Sequence, residues 1–181
     1  GGVNVHREKW NEKYRQRDPG RVPEHSFILE EETKDLRPGR ALDLAAGEGR
    51  NALFLALRGW DVTAVDFSDE AVKRGRSRAE ELGLSVTWQA EDLTEYTPRE
   101  TAYDLVYLFY LHMPWDEFRG VVLGAAAALR SGGTLLVVGH DTTNIAEGAG
   151  GPQDPDVLYS PDDVAGLLGG LELERAERMR R

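Results

Sequence analysis

The chain has no cysteine and only two methionines among its 181 residues. Without cysteine there is no disulfide, no thiolate nucleophile, no zinc knuckle and no iron–sulfur site, so a whole branch of protein chemistry is excluded. Long apolar runs are missing too: none approaches the roughly 20 residues that a membrane-spanning helix needs. The opening residues 1–14 are polar and charged and do not resemble a signal peptide. Positive charge is in short supply, with 22 Lys and Arg against 32 Asp and Glu for a net charge of −10. No basic stripe exists to neutralise a phosphate backbone, which argues against nucleic acid as the main partner. The short basic patch at 73–78 reads as a solvated helix face. No clustered set of His and acidic ligands stands out, so no metal is expected. These absences describe a cytoplasmic protein with no membrane partner.

What is present is enough for one domain, since a chain of this length ordinarily makes a single fold with a real core. Two helices are expected first, at 7–17 with Trp10 and Tyr14 four apart on one face, and at 24–36 with Phe27, Ile28 and Leu36 as apolar positions. After Pro38 and Gly39 the period changes. Residues 40–46 read as a buried strand, 47–49 as a turn, and 50–58 as a helix closed by Gly59. A strand over 60–66 follows, then a helix capped by Ser68 that ends at Gly83. Strands are expected at 84–89, 103–109 and 134–139, with a helix from Pro114 to the Gly132-Gly133 pair between the last two. The Gly- and Pro-rich loop at 141–158 is long enough to serve as a lid or substrate loop. A short helix after Pro161 and a strand within 171–179 complete the chain. Strands alternating with helices of this length are βαβ units, which require an α/β fold: a three-layer, doubly wound, mainly parallel sheet. Ligands of such sheets bind at the carboxyl ends of the strands, where the strand order reverses.

The chemistry-bearing residues fall at those ends. Gly47 and Gly49 occupy the first strand-to-helix turn, where the absence of a β-carbon lets a ligand lie against the main chain. Tight turns also use glycine for steric reasons alone, and Gly47, Gly49 and Ala52 equally satisfy the G-x-G-x-x-G/A pattern of a nicotinamide dinucleotide site. Asp66 ends the second strand, about 17 residues beyond Gly49, near the roughly 20 expected of an acid that accepts from ribose hydroxyls. Its competing reading is a turn-capping aspartate before Ser68. Phe67 can lie against an adenine face. Glu91, Asp92 and Leu93 follow the third strand, where a carboxylate can accept from an adenine amino group.

In combination these motifs resemble class I S-adenosylmethionine-dependent methyltransferases over nearly the whole chain. The residues that carry the resemblance are Leu42-Asp43-Leu44-Ala45-Ala46-Gly47-Glu48-Gly49, Val65-Asp66, Glu91-Asp92-Leu93, Tyr103-Asp104-Leu105-Val106 and Leu129-Arg130-Ser131-Gly132-Gly133-Thr134-Leu135. Gly49-Arg50-Asn51-Ala52, the run from Gly59 to Asp66 and the opening Trp10-Asn11-Glu12-Lys13-Tyr14 look like the tellurite-resistance and thiopurine-type branch, which acts on small molecules. The resemblance implies a Rossmann-like core over 38–181 under an N-terminal helical cap at 1–37. It implies S-adenosyl-L-methionine as cofactor and S-adenosyl-L-homocysteine as product. The implied cofactor residues are Asp43, Ala45, Ala46, Gly47, Gly49 and Asn51 at the first turn, Asp66 and Phe67 at the second strand, Glu91, Asp92 and Leu93 after the third, Phe109 at the fourth, and Trp10 and Tyr14 from the cap. The chain departs from the family pattern twice. Ala45 stands where the first glycine of the turn is usual, a mild change because alanine is small. Only one strand follows the last helix where the family ends in a hairpin, so the last strand is expected to be absent, truncated or disordered.

Methyl transfer is an in-line displacement at an already activated carbon, so a catalytic residue is not obligatory. Where the acceptor must lose a proton, His112 after the fourth strand, or His140 with Asp141 after the fifth, can serve as base. Tyr110, His112 and Asp141 are the candidates for contact with the substrate. The expected acceptor is a small-molecule nucleophile: a thiol or chalcogen, or the hydroxyl or amine of a metabolite or natural product. The expected state is a monomer or homodimer. Two competing readings are a non-enzymic S-adenosylmethionine-binding protein and an NAD-dependent oxidoreductase.

Overall fold

The computed structural model describes residues 25–111 and 113–138. Among them, four helices and five strands alternate: α1 (Phe27–Thr33), β1 (Arg40–Leu44), α2 (Arg50–Leu57), β2 (Asp61–Asp66), α3 (Asp69–Glu81), β3 (Val86–Ala90), β4 (Tyr103–Phe109), α4 (Trp115–Ala127) and β5 (Leu129–Val138). The strands form one sheet in the order β3-β2-β1-β4-β5, and every neighbouring pair is parallel. The order reverses between β1 and β4, which opens a crevice at their carboxyl ends.

Alternation along the strands divides the core into two layers. Ala41, Val62, Ala64, Leu105, Tyr107 and Phe109 join Leu29, Leu55 and Val72 on the face covered by α1, α2 and α3. Leu42, Leu44, Val65, Val106 and Leu108 meet Phe118, Val122 and Ala125 of α4 on the other face. A sheet buried on both sides explains why β1 and β4 read as nearly continuous apolar runs.

The helices start where local chemistry provides a cap. Ser68 Oγ accepts from the Ala71 amide at 3.1 Å, and Asp69 and Glu70 place negative charge in the first turn of α3. Ser26 does the same for α1, accepting from Leu29 at 3.4 Å. The helix expected at 24–36 is therefore shorter, Phe27–Thr33, because its cap lies at Ser26. β5 begins earlier than its apolar pattern suggests: Leu129 pairs with Tyr103, the register shifts before Leu105, and Gly132 takes φ +82° within the strand. The Gly132-Gly133 pair accordingly lies in an irregular strand entry and does not terminate α4. The cap residues 1–24, the loop at 141–158, and the expected last helix and strand all lie outside the described residues.

Candidate active site at the carboxyl edge of the sheet

The turn from β1 to α2 holds three positive φ angles in five residues: Ala45 at +90°, Gly47 at +58° and Gly49 at +87°. Neighbouring strands secure this unusual path. The amides of Ala45 and Ala46 both donate to the Val65 carbonyl at 2.9 Å, and the Gly47 amide donates to Asp66 Oδ1 at 3.0 Å. The glycine at 49 is required by its neighbour as much as by its φ, since a β-carbon there would stand 2.2 Å from the Trp88 ring. Trp88 also fills the space above Gly75, where a β-carbon would lie 2.4 Å from the ring. Glu48 is held to α3 by Arg74 at 3.6 Å.

Ala45 corrects an expectation. Its small size does not make it a mild replacement for glycine, because the left-handed backbone at +90° disfavours any β-carbon. The aromatic Tyr110, just past β4, holds another such angle, +58°, and its amide donates to the Val138 carbonyl. Non-glycine residues at positive φ concentrate where surrounding structure holds a functional shape. Two of the three among the described residues flank the β1/β4 crevice.

Asp66 combines both of its readings. Oδ2 accepts from the Ser68 amide at 2.9 Å, as a turn-capping aspartate would, while Oδ1 ties down the glycine turn. Burial raises its pKa and the two backbone donors oppose that shift. Each carboxylate oxygen retains a lone pair for a further donor. Asp92 Oδ1 accepts from the amide and hydroxyl of Thr94 at 2.9 and 2.7 Å, whereas Oδ2 is buried without a partner. Leu93 is buried beside it, and Glu91 is exposed with its amide donating to the Asp66 carbonyl. Phe67 is half-buried. Asp43 is only 2% exposed, and its Oδ2 also lacks a partner. Desolvation pushes its pKa up to about 8, the nearby Asp66 charge adds to the rise, and Tyr107 and Arg50 oppose it.

Other expected residues take different positions. Asn51 Oδ1 accepts from the Ser26 amide at 2.7 Å and joins α2 to the segment before α1, so that oxygen is already engaged. Phe109 is buried in the core edge-to-face with Tyr107, their ring centroids 5.6 Å apart. Trp10, Tyr14, His112, His140 and Asp141 lie outside the described residues. Trp88 and Tyr107 were not singled out from the sequence, because an apolar strand pattern does not reveal which aromatic ring will lie under a turn. Cavities of about 400 and 520 Å³ are at the opposite edge, around Trp60, Asp104 and Arg130 and around Arg40 and Arg99, away from the turn. Among the described residues, no group of three or more His, Cys, Asp or Glu could hold a metal ion, and no helix is long and apolar enough to cross a membrane.

The family model described as a methyltransferase domain matches residues 41–133, half of the chain. The chain belongs to that family. This methyltransferase domain is 32% identical over 127 residues to hemagglutinin 1 of Eikenella corrodens, covering 69% of this chain and 42% of that protein. It is 33% identical over 105 residues to the tRNA 5-carboxymethoxyuridine methyltransferase of Escherichia coli K12, covering 55% of this chain and 39% of that protein. It is 25% identical over 113 residues to the probable S-adenosyl-L-methionine-dependent methyltransferase TehB of Haemophilus influenzae, covering 61% and 39%. The chain thus spans about two fifths of the length of these curated relatives. In fold, it matches a solved structure concerned with conversion of a disulfide bond into a thioacetal group during echinomycin biosynthesis. The TM-score is 0.71 at 24% identity, over 90% of this chain and 77% of that one.

The family's cofactor, S-adenosylmethionine, can be tested against the side chains of this domain. Two buried carboxylate oxygens without partners, Asp43 Oδ2 near the carboxyl end of β1 and Asp92 Oδ2 after β3, stand at one sheet edge, and Asp66 at the end of β2 retains acceptor capacity between them. A cationic amino acid joined to a nucleoside supplies ammonium, ribose hydroxyl and adenine amino donors, which match acceptors of this kind. The residues fit the group.

Proposed function

We propose that this domain is an S-adenosylmethionine-dependent methyltransferase acting on a small-molecule nucleophile. The observation that carries the reading is the set of carboxylate acceptors, buried Asp43 and half-buried Asp66 and Asp92, around a left-handed glycine turn at the β1/β4 crevice. Asp66 accepts from the ribose hydroxyls, Asp92 with Leu93 receives the adenine, and the 45–49 turn with Asp43 receives the methionine portion. Phe67 lines the adenine side, and Glu91, Asn51 and Phe109 complete the surroundings. The family resemblance gives Trp10 and Tyr14 the role of shielding the cofactor from water. When bound, the cofactor supplies an electrophilic methyl group activated by its positively charged sulfur.

The chain's remaining task is alignment and desolvation of the acceptor atom. Tyr110, fixed at a positive φ beside the crevice, shapes the acceptor side. His112, or His140 with Asp141, takes up the proton of an acceptor that carries one. A thiol or chalcogen that ionises in water needs no such base. The acidic balance of the chain, −10, favours a small acceptor over a polyanion.

Calorimetric titration of the protein with S-adenosylmethionine, S-adenosylhomocysteine and NAD tests the cofactor reading. Saturable binding of the first two alone is expected, and binding of NAD alone, or of none, overturns it. A turnover panel of thiols, hydroxyl and amine metabolites, and tRNA then tests the acceptor class. Methylation of tRNA in preference to every small molecule overturns the small-molecule reading; cofactor binding with no turnover across the panel favours a non-enzymic binding protein.

A further inference from the structure

Asp43 and Tyr107 are direct partners in the parallel register of β1 and β4, on the sheet face covered by α2. Both are buried, at 2% and 0% exposure, and both hold an oxygen with no hydrogen-bond partner: Asp43 Oδ2 and the Tyr107 hydroxyl. A carboxyl group and a phenol at adjacent register positions in a dry core, with little but one another to act on, are costly to maintain. A phenylalanine would fill the same apolar layer without that cost. The pair stands directly before the strained turn at Ala45. The groups that act on Asp43 come from three further elements: Tyr107 from β4, Asp66 at the end of β2, and Arg50 at the start of α2. Asp66 resists a second negative charge, while Arg50 and the Tyr107 hydroxyl favour one.

We propose that Tyr107 is a positioning residue that prepares Asp43 to give up a proton to solvent when the α-ammonium group of the cofactor binds at the glycine turn. The inference rests on the cofactor reading above. In the ligand-free protein Asp43 is held neutral by its burial, with Asp66 adding to the effect. A positive charge arriving at the turn favours the carboxylate, and the Tyr107 O–H, able to donate to the carboxylate oxygen, stabilises the form that results. The O–H bond of Asp43 breaks, its electron pair remains on the carboxylate, and the proton passes to the buffer. Tyr107 keeps its own proton throughout, because burial and the Asp43 charge hold its pKa well above the ordinary value.

The test is calorimetric titration with S-adenosylhomocysteine in buffers of different ionisation enthalpy, across neutral and mildly alkaline pH, on wild type, Asp43→Asn and Tyr107→Phe. Wild type is expected to release up to about one proton through Asp43, and its affinity to rise by up to about tenfold per pH unit below the Asp43 midpoint. The ligand's own amino group titrates in every variant, so Asp43→Asn isolates the contribution of Asp43. In Tyr107→Phe the midpoint of proton release moves to higher pH, because the carboxylate has lost its donor. A merely structural tyrosine would weaken binding uniformly and leave the midpoint in place, which overturns the proposal. Equal proton release by wild type and Asp43→Asn overturns it as well. Where Asp43→Asn does not fold, the midpoint in Tyr107→Phe decides. Wild type that binds no S-adenosylhomocysteine overturns the cofactor reading itself, whereas binding without an Asp43-dependent proton overturns this inference alone.

Discussion

At the scale of single residues, buried carboxyl groups set the character of the site. Asp43 titrates at about 8 in the fold, against 3.8 for an exposed aspartate. Between those values the folded chain holds a proton that the unfolded chain has lost, so Asp43 makes stability fall as pH rises, by about 1.4 kcal/mol per pH unit. Urea unfolding of the ligand-free protein across this window should show stability falling more steeply with pH in wild type than in Asp43→Asn, the difference approaching that slope. Ala45 offers a second prediction. Replacement by glycine relieves the β-carbon at φ +90° but adds backbone freedom to the unfolded chain. Ala45→Gly should therefore be neutral to about 1 kcal/mol more stable in thermal unfolding; marked destabilisation would mean that the methyl group itself supports the turn. Asp66 meets two backbone demands at once, so Asp66→Ala orphans the Gly47 and Ser68 amides. Asp66→Asn is the milder change, leaving one acceptor while setting a donor against the other backbone amide, and with the fold verified by circular dichroism it should weaken S-adenosylmethionine binding by about 1–3 kcal/mol in calorimetry. Unchanged affinity would remove Asp66 from the ribose position.

At the scale of elements, the glycine turn is supported from behind by β3 and α3. The Trp88 indole occupies the space that Gly49 and Gly75 leave open, and Gly75→Ala would place a β-carbon 2.4 Å from that ring and 3.0 Å from the Glu48 carbonyl. The substitution should destabilise the domain by about 1–3 kcal/mol, and Trp88→Leu should recover part of the loss in a double-mutant cycle, because the two share one volume. A full additive loss would show that the clash is with the Glu48 backbone alone. Element boundaries were legible in proportion to how local their causes are. β4 spans Tyr103–Phe109 as its apolar run predicts, and α3 begins after Ser68 as its cap predicts. β5 was misplaced because its first residues are hydrophilic and contain two glycines, and only pairing with Tyr103 makes them a strand. The engagement of Asn51 by the Ser26 amide, 25 residues away, was equally hidden from local pattern.

At the scale of the whole molecule, the sheet places the ends of β1, β2, β3 and β4 along one edge, and a ligand that spans several of them must couple to global stability. S-adenosylhomocysteine at 100 times its dissociation constant should add about 2.7 kcal/mol to unfolding, while NAD at equal concentration should add nothing. Absence of a shift in melting temperature with either ligand would count against the site. The sheet also explains why the glycine pattern alone left two cofactor classes open. The dinucleotide and methyltransferase readings share a parallel sheet, a glycine turn and an acidic residue at the end of β2. What separates them is the match of the methyltransferase-domain model across 41–133, to which the spacing of many weak signals contributes together.

Alternation of apolar runs with capped, amphipathic helices was sufficient by itself to determine a parallel α/β sheet, and the spacing of Gly47, Gly49, Asp66 and Asp92 was sufficient to put them at strand ends and turns of one sheet edge. Those are properties of local period and spacing, and they survive translation into structure because burial follows periodicity. Tertiary structure alone decided that Ala45 sits at a left-handed angle, that Trp88 makes Gly49 and Gly75 obligatory, and that Asp43 meets Tyr107 across the β1/β4 pairing. Each of these depends on which residues from distant parts of the chain become neighbours. Desolvation follows from the same neighbours, so the charge state of a buried carboxyl is a property of the packed molecule.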